Sequence, residues 1–243
     1  MRYLFILFCV VGSMSSSYGQ TTVSVGPRIG LNAATGNFDM GRPYHTTFVW
    51  GGEAGAMVQV SRQHWAVQVA TLYAQKGFRV DDEHEYDPNV GGVYMRTRET
   101  YRLNYVTLPL QLAYTLHADG QGFQGFLGGY VGFLLNGQLT YDDIYRRPSY
   151  EPVYYKGKAD IKPGQELEMK GDVISKGTDA GVQAGIGYRY QQLLTQISYS
   201  HGLVNLGTKY PNQPSNLYTP EYSNRVIQVS FTYLFAPLSG RPK

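Results

Sequence analysis

The sequence is poor in cysteine, in long apolar runs and in charge of one sign. Its single cysteine, Cys9, lies near the amino terminus, so the rest of the chain has neither disulfides nor thiolate metal ligands. After residue 20 the longest apolar run, Tyr130–Leu135, is interrupted by Gly132, and it is much shorter than the roughly 20 residues of a membrane-spanning helix. A formal net charge of +3 in 243 residues does not indicate a nucleic acid partner. These absences exclude a disulfide-stabilised scaffold, a helical membrane protein and a nucleic-acid-binding protein.

The amino-terminal segment has the pattern of a cleaved signal peptide. Arg2 provides a short positive region, Tyr3–Val11 form an apolar stretch, and Ser17–Gly19 fit a small-x-small cleavage site. The apolar stretch is too short to cross a bilayer as a helix. We therefore predict that residues 1–19 are removed on export and that residues 20–243 form one domain.

Glycine and tyrosine are abundant, and apolar residues alternate with small or polar ones over much of the chain. The sequence contains 29 glycines and 22 tyrosines, and its mean hydropathy is −0.31. A period of two residues is typical of β-strands that have one apolar face. Eight segments show this period: Val23–Asn32, Phe48–Val60, Trp65–Phe78, Tyr105–Leu116, Phe123–Leu139, Asp179–Tyr190, Leu193–Ser200 and Ile227–Phe235. Most of them reach the about 9–11 residues that a tilted membrane-spanning strand needs, whereas soluble strands average about 5–6.

The connections between these segments alternate strictly between long and short. The long ones are Ala34–Thr46, Val80–Glu99, Tyr141–Lys176 and Gly207–Ser223, and the short ones are Ser61–His64, His117–Gly122 and Gln191–Gln192. Outer-membrane barrels combine short periplasmic turns with longer extracellular loops. The sequence therefore predicts an eight-stranded antiparallel up-and-down transmembrane β-barrel in the bacterial outer membrane.

Polar residues are expected inside such a barrel, because eight strands enclose a space that side chains fill. The alternation places eight of them there as a hydrogen-bonded plug: Arg28, Glu53, Gln59, Gln68, Gln183, Arg189, Gln196 and Gln228. Arg28, Glu53, Gln68, Gln183 and Arg189 are the main candidates for its polar network. A buried charge is costly unless it is paired. We therefore predict that Arg28 and Glu53, on adjacent strands, interact in the interior. A narrow pore or ligand passage is the alternative use of this space.

The third long connection combines tyrosines with cations. Its candidate contact residues are Tyr145, Arg146, Arg147, Tyr150, Tyr154 and Tyr155. Such a mixture suits binding to a protein partner or to lipopolysaccharide phosphates. A tyrosine-rich extension of the strands above the membrane explains the same pattern equally well.

The sequence offers little support for catalysis or metal binding. Ser198, Ser200 and His201 form the nearest serine–histidine cluster, but alternation puts Ser200 and His201 on opposite faces of one strand, which is unsuitable for a nucleophile and its base. The acidic run Asp81–Asp87 lacks the spacing and glycine of an EF-hand and favours a solvated loop. We predict no enzymatic activity, no metal and no cofactor.

Several motifs resemble those of the PorT-like outer-membrane barrels of Bacteroidota. They are Val25–Asn32, Leu72–Gly77, Tyr105–Leu110 and Gly128–Gly132. The terminal strand carries Phe231, Tyr233 and Phe235, which the resemblance identifies as the aromatic signal for the barrel-assembly machinery. Ala236–Lys243 follow this signal, which departs from a strictly terminal strand. Some members of the family serve protein secretion or gliding motility, so the resemblance implies an accessory role in secretion, although no residue carries that role over.

The sequence thus predicts a barrel with a structural or interaction role through its extracellular loops. The expected partners are outer-membrane lipid, lipopolysaccharide, the assembly machinery and a protein at the loops. Two alternatives remain open at this point: an exported soluble β-barrel or β-sandwich that binds a ligand, and an outer-membrane barrel hydrolase.

Overall fold

A computed structural model of the chain describes residues 21–39, 43–86, 92–164, 173–208 and 221–235. The expected signal peptide, residues 1–19, lies outside these residues. The described residues form eleven strands. These are β1 (Thr22–Asp39), β2 (Thr46–Thr47), β3 (Val49–Arg62), β4 (Trp65–Tyr86), β5 (Val93–Thr115), β6 (Gly122–Arg146), β7 (Val153–Pro163), β8 (Val173–Ser175), β9 (Thr178–Tyr190), β10 (Leu193–Gly202) and β11 (Glu221–Tyr233).

Eight of the strands form a closed antiparallel ring in the order β1, β3, β4, β5, β6, β9, β10 and β11. The ring closes because β1 pairs with β11 on one side and with β3 on the other. The predicted eight-stranded antiparallel barrel is therefore confirmed. None of the described residues forms a helix that is long and apolar enough to cross a membrane.

Short turns connect the strands at the end of the barrel where both described chain ends lie. Gln63 and Gln191 adopt positive φ angles of 52° and 54°, and each begins a two-residue hairpin turn. Turns of this kind match the twist of the strands that they join. The predicted short connections at Ser61–His64 and Gln191–Gln192 are confirmed.

The outer surface near this end carries a broad apolar band, which we call the lipid-facing band. Its members are exposed valine, leucine, isoleucine and aromatic side chains on the ring strands. They include Ile29, Leu31, Val58, Trp65, Val67, Val69, Tyr73, Leu108, Leu110, Leu112, Tyr114, Leu127, Val131, Phe133, Leu135, Val182, Ile186, Ile197, Ile227 and Phe231. An exposed apolar surface of this extent is expected where a barrel contacts lipid.

The strands continue well beyond this band into segments that the sequence pattern assigned to loops. Strand β4 reaches Tyr86 and β5 begins at Val93, so the predicted loop 80–99 is mostly a hairpin. Strand β6 reaches Arg146, and β7 pairs with it from Tyr145↔Val153 to Gly137↔Ile161. We call residues 75–86, 93–104 and 136–146 together with β7 the extension. In the third long connection, residues 141–163 therefore largely form a tyrosine-rich extension of the strands above the membrane.

The sequence pattern did not predict the strands of the extension, because their outward residues are polar and the pattern identifies strands by apolar outward residues. In this part of the chain the interior holds an aromatic and aliphatic core. Its buried members are Phe38, Phe78, Val80, Tyr101, Leu103, Tyr105, Leu134, Leu139, Ile161, Leu206 and Tyr222. Strand β6 changes its inward parity at a bulge, where Leu135 has no partner between Tyr105↔Leu134 and Asn104↔Asn136. The regular alternation of apolar and polar residues in the sequence is interrupted at this bulge, so it does not predict that the strand continues.

Candidate functional site: the barrel interior and the extracellular hairpin

Arg28 and Glu53 meet inside the barrel. Arg28 Nε donates to Glu53 Oε1 over 3.0 Å, and the two side chains are 2% and 0% exposed. The other carboxylate oxygen, Oε2, accepts from Gln228 Nε2 over 3.0 Å. Arg28 Nη1 also donates to Gln196 Oε1 over 3.2 Å. Both charges therefore have an opposite charge and an additional amide partner, as buried ion pairs require.

A chain of glutamines continues from this pair toward the periplasmic end. Gln196 Nε2 donates to Gln68 Oε1 over 3.0 Å, and Gln68 Nε2 lies 3.1 Å from Gln59 Oε1 and 3.4 Å from Gln124 Oε1. All four glutamines are buried. The structure thus brings Arg28, Glu53 and Gln68 into one connected network that crosses the interior.

A second buried ion pair, Lys76–Asp179, was not among the residues singled out in the sequence. Lys76 Nζ lies 3.1 Å from Asp179 Oδ2, and the side chains are 3% and 0% exposed. Asn224 Nδ2 donates to the same oxygen over 3.0 Å. The Tyr130 hydroxyl lies 3.3 Å from both Asp179 oxygens, and Lys76 Nζ lies 4.2 Å from the centre of the Tyr130 ring. Lys76 lies an even number of positions from Gln68 on β4, so the alternation along the strand predicts that it faces the interior. This spacing could have identified it from the sequence.

Two glycines make room for large interior side chains. A Cβ atom on Gly181 would lie 2.8 Å from the Tyr130 ring, and one on Gly185 would lie 2.6 Å from the Phe126 ring. Both distances are shorter than real Cβ contacts allow. The glycine-rich sequence of β9 therefore allows bulky residues of β6 to pack inside a narrow barrel.

The space between the two ion pairs is small. A cavity of about 10 Å³ is lined by Arg28, Lys76, Tyr130, Gln183 and their neighbours. Gln183 is buried, and its Nε2 atom makes no hydrogen bond to any residue that the structure describes. A volume of this size holds about one water molecule. Gln183 therefore lies between the two networks, and the described interior around it is filled by side chains.

Arg189 lies apart from these networks. It is half-buried, and its Nε donates to the carbonyl oxygen of Gln191 over 3.1 Å at a periplasmic turn. With Asp119 and Gln121 it lines a cavity of about 360 Å³ at the periplasmic mouth. Arg189 lies on the inward side of β9, as predicted, but it lies at the periplasmic end of the strand and is therefore separated from Arg28 and Glu53.

The three aromatic residues of the terminal strand face outward. Phe231, Tyr233 and Phe235 are exposed, and the Tyr233 and Phe235 rings make an edge-to-face contact at 5.5 Å. The amide of Phe235 donates to the carbonyl oxygen of Val25 over 2.9 Å, which continues the pairing with β1. The residues after Phe235 lie outside the described part of the chain. The proposed assembly signal thus lies on the outer surface at the seam between β1 and β11.

The tip of the β6–β7 hairpin carries the tyrosines and cations of the predicted contact surface. Tyr150, Tyr154 and Tyr155 are 73%, 66% and 55% exposed. Arg147 Nε donates to the Tyr145 hydroxyl over 2.6 Å, and the Arg146 guanidinium lies 5.7 Å from the centre of the Tyr94 ring. The structure therefore presents the six residues on one exposed hairpin, with both arginines placed against tyrosines.

Ser200 and His201 do not approach each other as a catalytic pair. The Ser200 hydroxyl lies inside the barrel and donates to Gln228 Oε1 over 3.1 Å. The His201 ring lies on the other face of β10, stacked at 6.4 Å on Tyr199. Alternation along the strand separates them, as the sequence analysis expected.

A partly buried carboxyl, that of Glu99, lies in the extension. Burial raises the pKa of Glu99 above its ordinary value of 4.5. The Tyr101 hydroxyl donates a hydrogen bond to Glu99 Oε2 over 2.6 Å, which lowers the pKa, whereas the negative charge of nearby Asp143 raises it further. Burial also raises the pKa of Tyr101, and the negative charge of Glu99 raises it further. Protonation of Glu99 is therefore favoured by folding of the extension.

Comparison with known proteins agrees with this architecture. A family model described as "Outer membrane protein beta-barrel domain" matches residues 15–207. No curated protein matches the sequence. Among solved structures, Ail, the attachment invasion locus protein of Yersinia pestis, in complex with the heparin analogue sucrose octasulfate, is 10% identical with a TM-score of 0.38, over 87% of this chain and 99% of Ail. The outer membrane protein OprG of Pseudomonas aeruginosa is 10% identical with a TM-score of 0.33, over 89% of this chain and 96% of OprG. At such low identity and TM-score these structures carry no information about the function of this chain.

Proposed function

Because the chain belongs to the outer membrane protein β-barrel domain family and lies in the bacterial outer membrane, we propose that it works as a surface binding protein. In this proposal the barrel is a closed anchor, and the tip of the β6–β7 hairpin binds a protein partner outside the cell. The observation that carries the proposal is the group of three strongly exposed tyrosines next to two arginines on this tip. The alternative of an exported soluble protein does not agree with this location.

The filled interior supports an anchoring role rather than transport. The described lumen contains the Arg28–Glu53 and Lys76–Asp179 ion pairs, the chain of glutamines and, above them, the aromatic core. Moving a solute through this space would require breaking buried ion pairs and displacing packed rings, both of which are costly. The barrel therefore suits a rigid support for what it carries above the membrane.

The composition of the hairpin tip supports a protein partner. Tyrosine and arginine are the residue types that contribute most at protein interfaces, since they combine large apolar area with hydrogen bonding. Arg147 is held against Tyr145 by a hydrogen bond and a ring contact, so less side-chain freedom is lost on binding. The tip is thus partly organised before a partner arrives.

The finer parts of the proposal concern assembly and biological setting. Phe231, Tyr233 and Phe235 would be read by the barrel-assembly machinery, and the PorT-like resemblance favours an accessory role in protein secretion. In that setting the hairpin partner is a component or a cargo of the secretion apparatus. We propose no enzymatic activity, which the separation of Ser200 from His201 supports.

Site-specific photo-crosslinking in intact cells tests the proposal. A photoreactive residue at position 154 is expected to crosslink to one protein reproducibly, whereas the same residue at Thr140, an exposed position lower on the same hairpin, is not. Changing both Arg146 and Arg147 to serine should abolish the crosslink without altering the amount of folded barrel. A crosslink that survives this change, or one formed equally from position 140, would contradict the proposed surface.

Planar-bilayer recording with the refolded protein tests the closed anchor separately. We expect no steady conductance from the wild-type protein. A steady conductance that changes when Glu53 is replaced by glutamine would instead indicate transport through the interior.

A further inference from the structure

A polar groove lies on the outer wall of the barrel directly above the lipid-facing band. It has a volume of about 510 Å³, and it is formed by neighbouring outward residues of β4, β5, β6 and β7. The lining residues that matter here are Gln75, Arg102, Asn104, Asn136, Asp160 and Lys162. This groove is separate from the hairpin tip and from the interior.

The groove lies where the outward side chains of β4, β5 and β6 change from apolar to polar between two neighbouring rows. On the lower side, Tyr73, Val106 and Phe133 lie side by side on β4, β5 and β6. Above it, two positions further along β4 and β5 and three along the bulged β6, Gln75, Asn104 and Asn136 lie side by side. Since the apolar row contacts acyl chains, the amide row lies at the level of the outer-leaflet headgroups.

The amide row is a hydrogen-bonded ladder. Gln75 Nε2 donates to Asn104 Oδ1 over 3.2 Å, and Asn104 Nδ2 donates to Asn136 Oδ1 over 2.7 Å. Asn136 accepts through its oxygen, and its own amide N–H groups make no hydrogen bond to a described residue, so they are donors at the end of the ladder. The ladder therefore presents neutral donors in a fixed position at the membrane surface.

Arg102 lies one outward position above this row. Its side chain is exposed, and it forms no hydrogen bond or ion pair with any described residue. Other arginines on this outer face are paired, as in Arg98–Asp81 and Arg96–Asp142. An arginine without a protein partner, placed beside amide donors, matches the geometry of a phosphate group, which guanidinium binds through two parallel hydrogen bonds.

The charges around the groove favour an anion. Arg102 and Lys162 supply two positive charges, and Asp160, on the far strand, supplies one negative charge. At the headgroup level a cationic pocket attracts anionic lipid headgroups, and the low dielectric of the adjoining acyl region strengthens the interaction. We infer that this groove binds a phosphate group on the headgroup of an outer-leaflet glycolipid, with Arg102 as the main phosphate ligand and the Asn104–Asn136 ladder as the neutral donors.

The inference is tested with the full-length protein in zwitterionic detergent micelles, by native mass spectrometry with added lipid. The probes are bisphosphorylated lipid A, the same lipid without phosphates, and inorganic phosphate. We expect the wild-type protein to retain the bisphosphorylated lipid at least about tenfold more strongly than the dephosphorylated one, as one charge-assisted phosphate contact allows. Equal retention of both lipids would overturn the inference, and so would binding of inorganic phosphate that displaces the lipid at equal concentration, since the site would then bind soluble anions.

Three variants identify the residue. Arg102→Gln should lower retention of the bisphosphorylated lipid by about tenfold, and Arg102→Lys should recover only part of it, because lysine keeps the charge but loses the planar fork. Arg98→Gln, two outward positions higher on the same strand and outside the groove, is the matched control and should leave retention unchanged. Equal losses in Arg98→Gln and Arg102→Gln would indicate diffuse charge attraction and overturn the site. The change in gel mobility between boiled and unboiled samples verifies that each variant is folded.

The test is independent of the proposed function. The hairpin variants at Arg146 and Arg147 should keep the lipid, and the Arg102 variants should keep the crosslink from position 154. Loss of one property without the other therefore tells the two proposals apart.

Discussion

Strand β4 has opposite polarity at its two ends. Near the periplasm Gln68 faces the interior and Val67 faces outward, whereas in the extension Phe78 faces the interior and Arg79 faces outward. The inward face of this strand therefore mixes polar and small apolar residues below, and carries the aromatic Phe78 and the aliphatic Val80 at its upper end. The difference follows from the surroundings, because the lower wall contacts lipid and the upper wall contacts water.

The membrane-spanning part and the extension are stabilised in different ways. In the spanning part the outward apolar residues contact lipid, and the interior combines paired charges and amides, such as Arg28–Glu53 and Gln68–Gln196, with small apolar clusters such as that of Met57, Leu72 and Leu194. In the extension the Phe78 and Tyr101 rings stack at 4.6 Å inside a core like that of a soluble protein. The same substitution should consequently change the free energy of unfolding by very different amounts in the two parts.

The largest effect is expected from the interior of the spanning part. Glu53→Gln leaves the Arg28 charge buried without its counter-charge, and this should lower the free energy of unfolding by about 3–5 kcal/mol. Urea titration of the protein in lipid vesicles, followed by the change in gel mobility, measures the loss. In a double-mutant cycle, Arg28→Gln combined with Glu53→Gln should lose less than the sum of the two single changes. Wild-type stability of Glu53→Gln would show that the pair does not stabilise the interior.

An intermediate effect is expected from the outer surface. Leu110→Arg places a charge against lipid near the middle of the band and should cost about 2–4 kcal/mol of unfolding free energy. Thr140→Arg puts the same side chain on the exposed outer face of the extension, and the expected change is within about 0.5 kcal/mol. Unfolding in vesicles measures both variants side by side. Equal costs at the two positions would mean that the boundary between lipid and water is not where the lipid-facing band ends.

The smallest effect is expected from Glu99 in the extension, and it depends on pH. Its pKa is raised above 4.5 by burial, so the folded protein binds this proton more tightly than the unfolded chain does. The associated stability is fully present below the unfolded pKa and is lost as the pH rises through the folded pKa. Glu99→Gln should therefore be more stable than wild type at neutral pH, with a difference that shrinks toward pH 4. A difference that grows on acidification would reverse the assigned direction of the pKa.

The architecture was largely predictable, because it depends on short-range patterns. The alternation in Trp65–Tyr73 and Leu193–Tyr199, and the order of long and short connections, predicted the strands, their number and the end of the barrel that faces the periplasm. The hairpin at residues 80–99 was wrongly assigned to a loop, since its strands have charged outer faces and so lack the pattern of a lipid-facing strand. The Lys76–Asp179 pair was missed because the two residues lie 103 positions apart.

The sequence by itself determined which side of each strand faces lipid and where the chain turns back, because a period of two residues and a turn are local properties. Only the tertiary structure decided which interior side chains meet. The stagger of the strands around the ring places Arg28 next to Glu53 and leaves Arg189, which has the same inward parity, at the periplasmic mouth. The groove above the lipid-facing band depends on that stagger too, since it exists only where four strands bring Gln75, Asn104, Asn136 and Lys162 to one height.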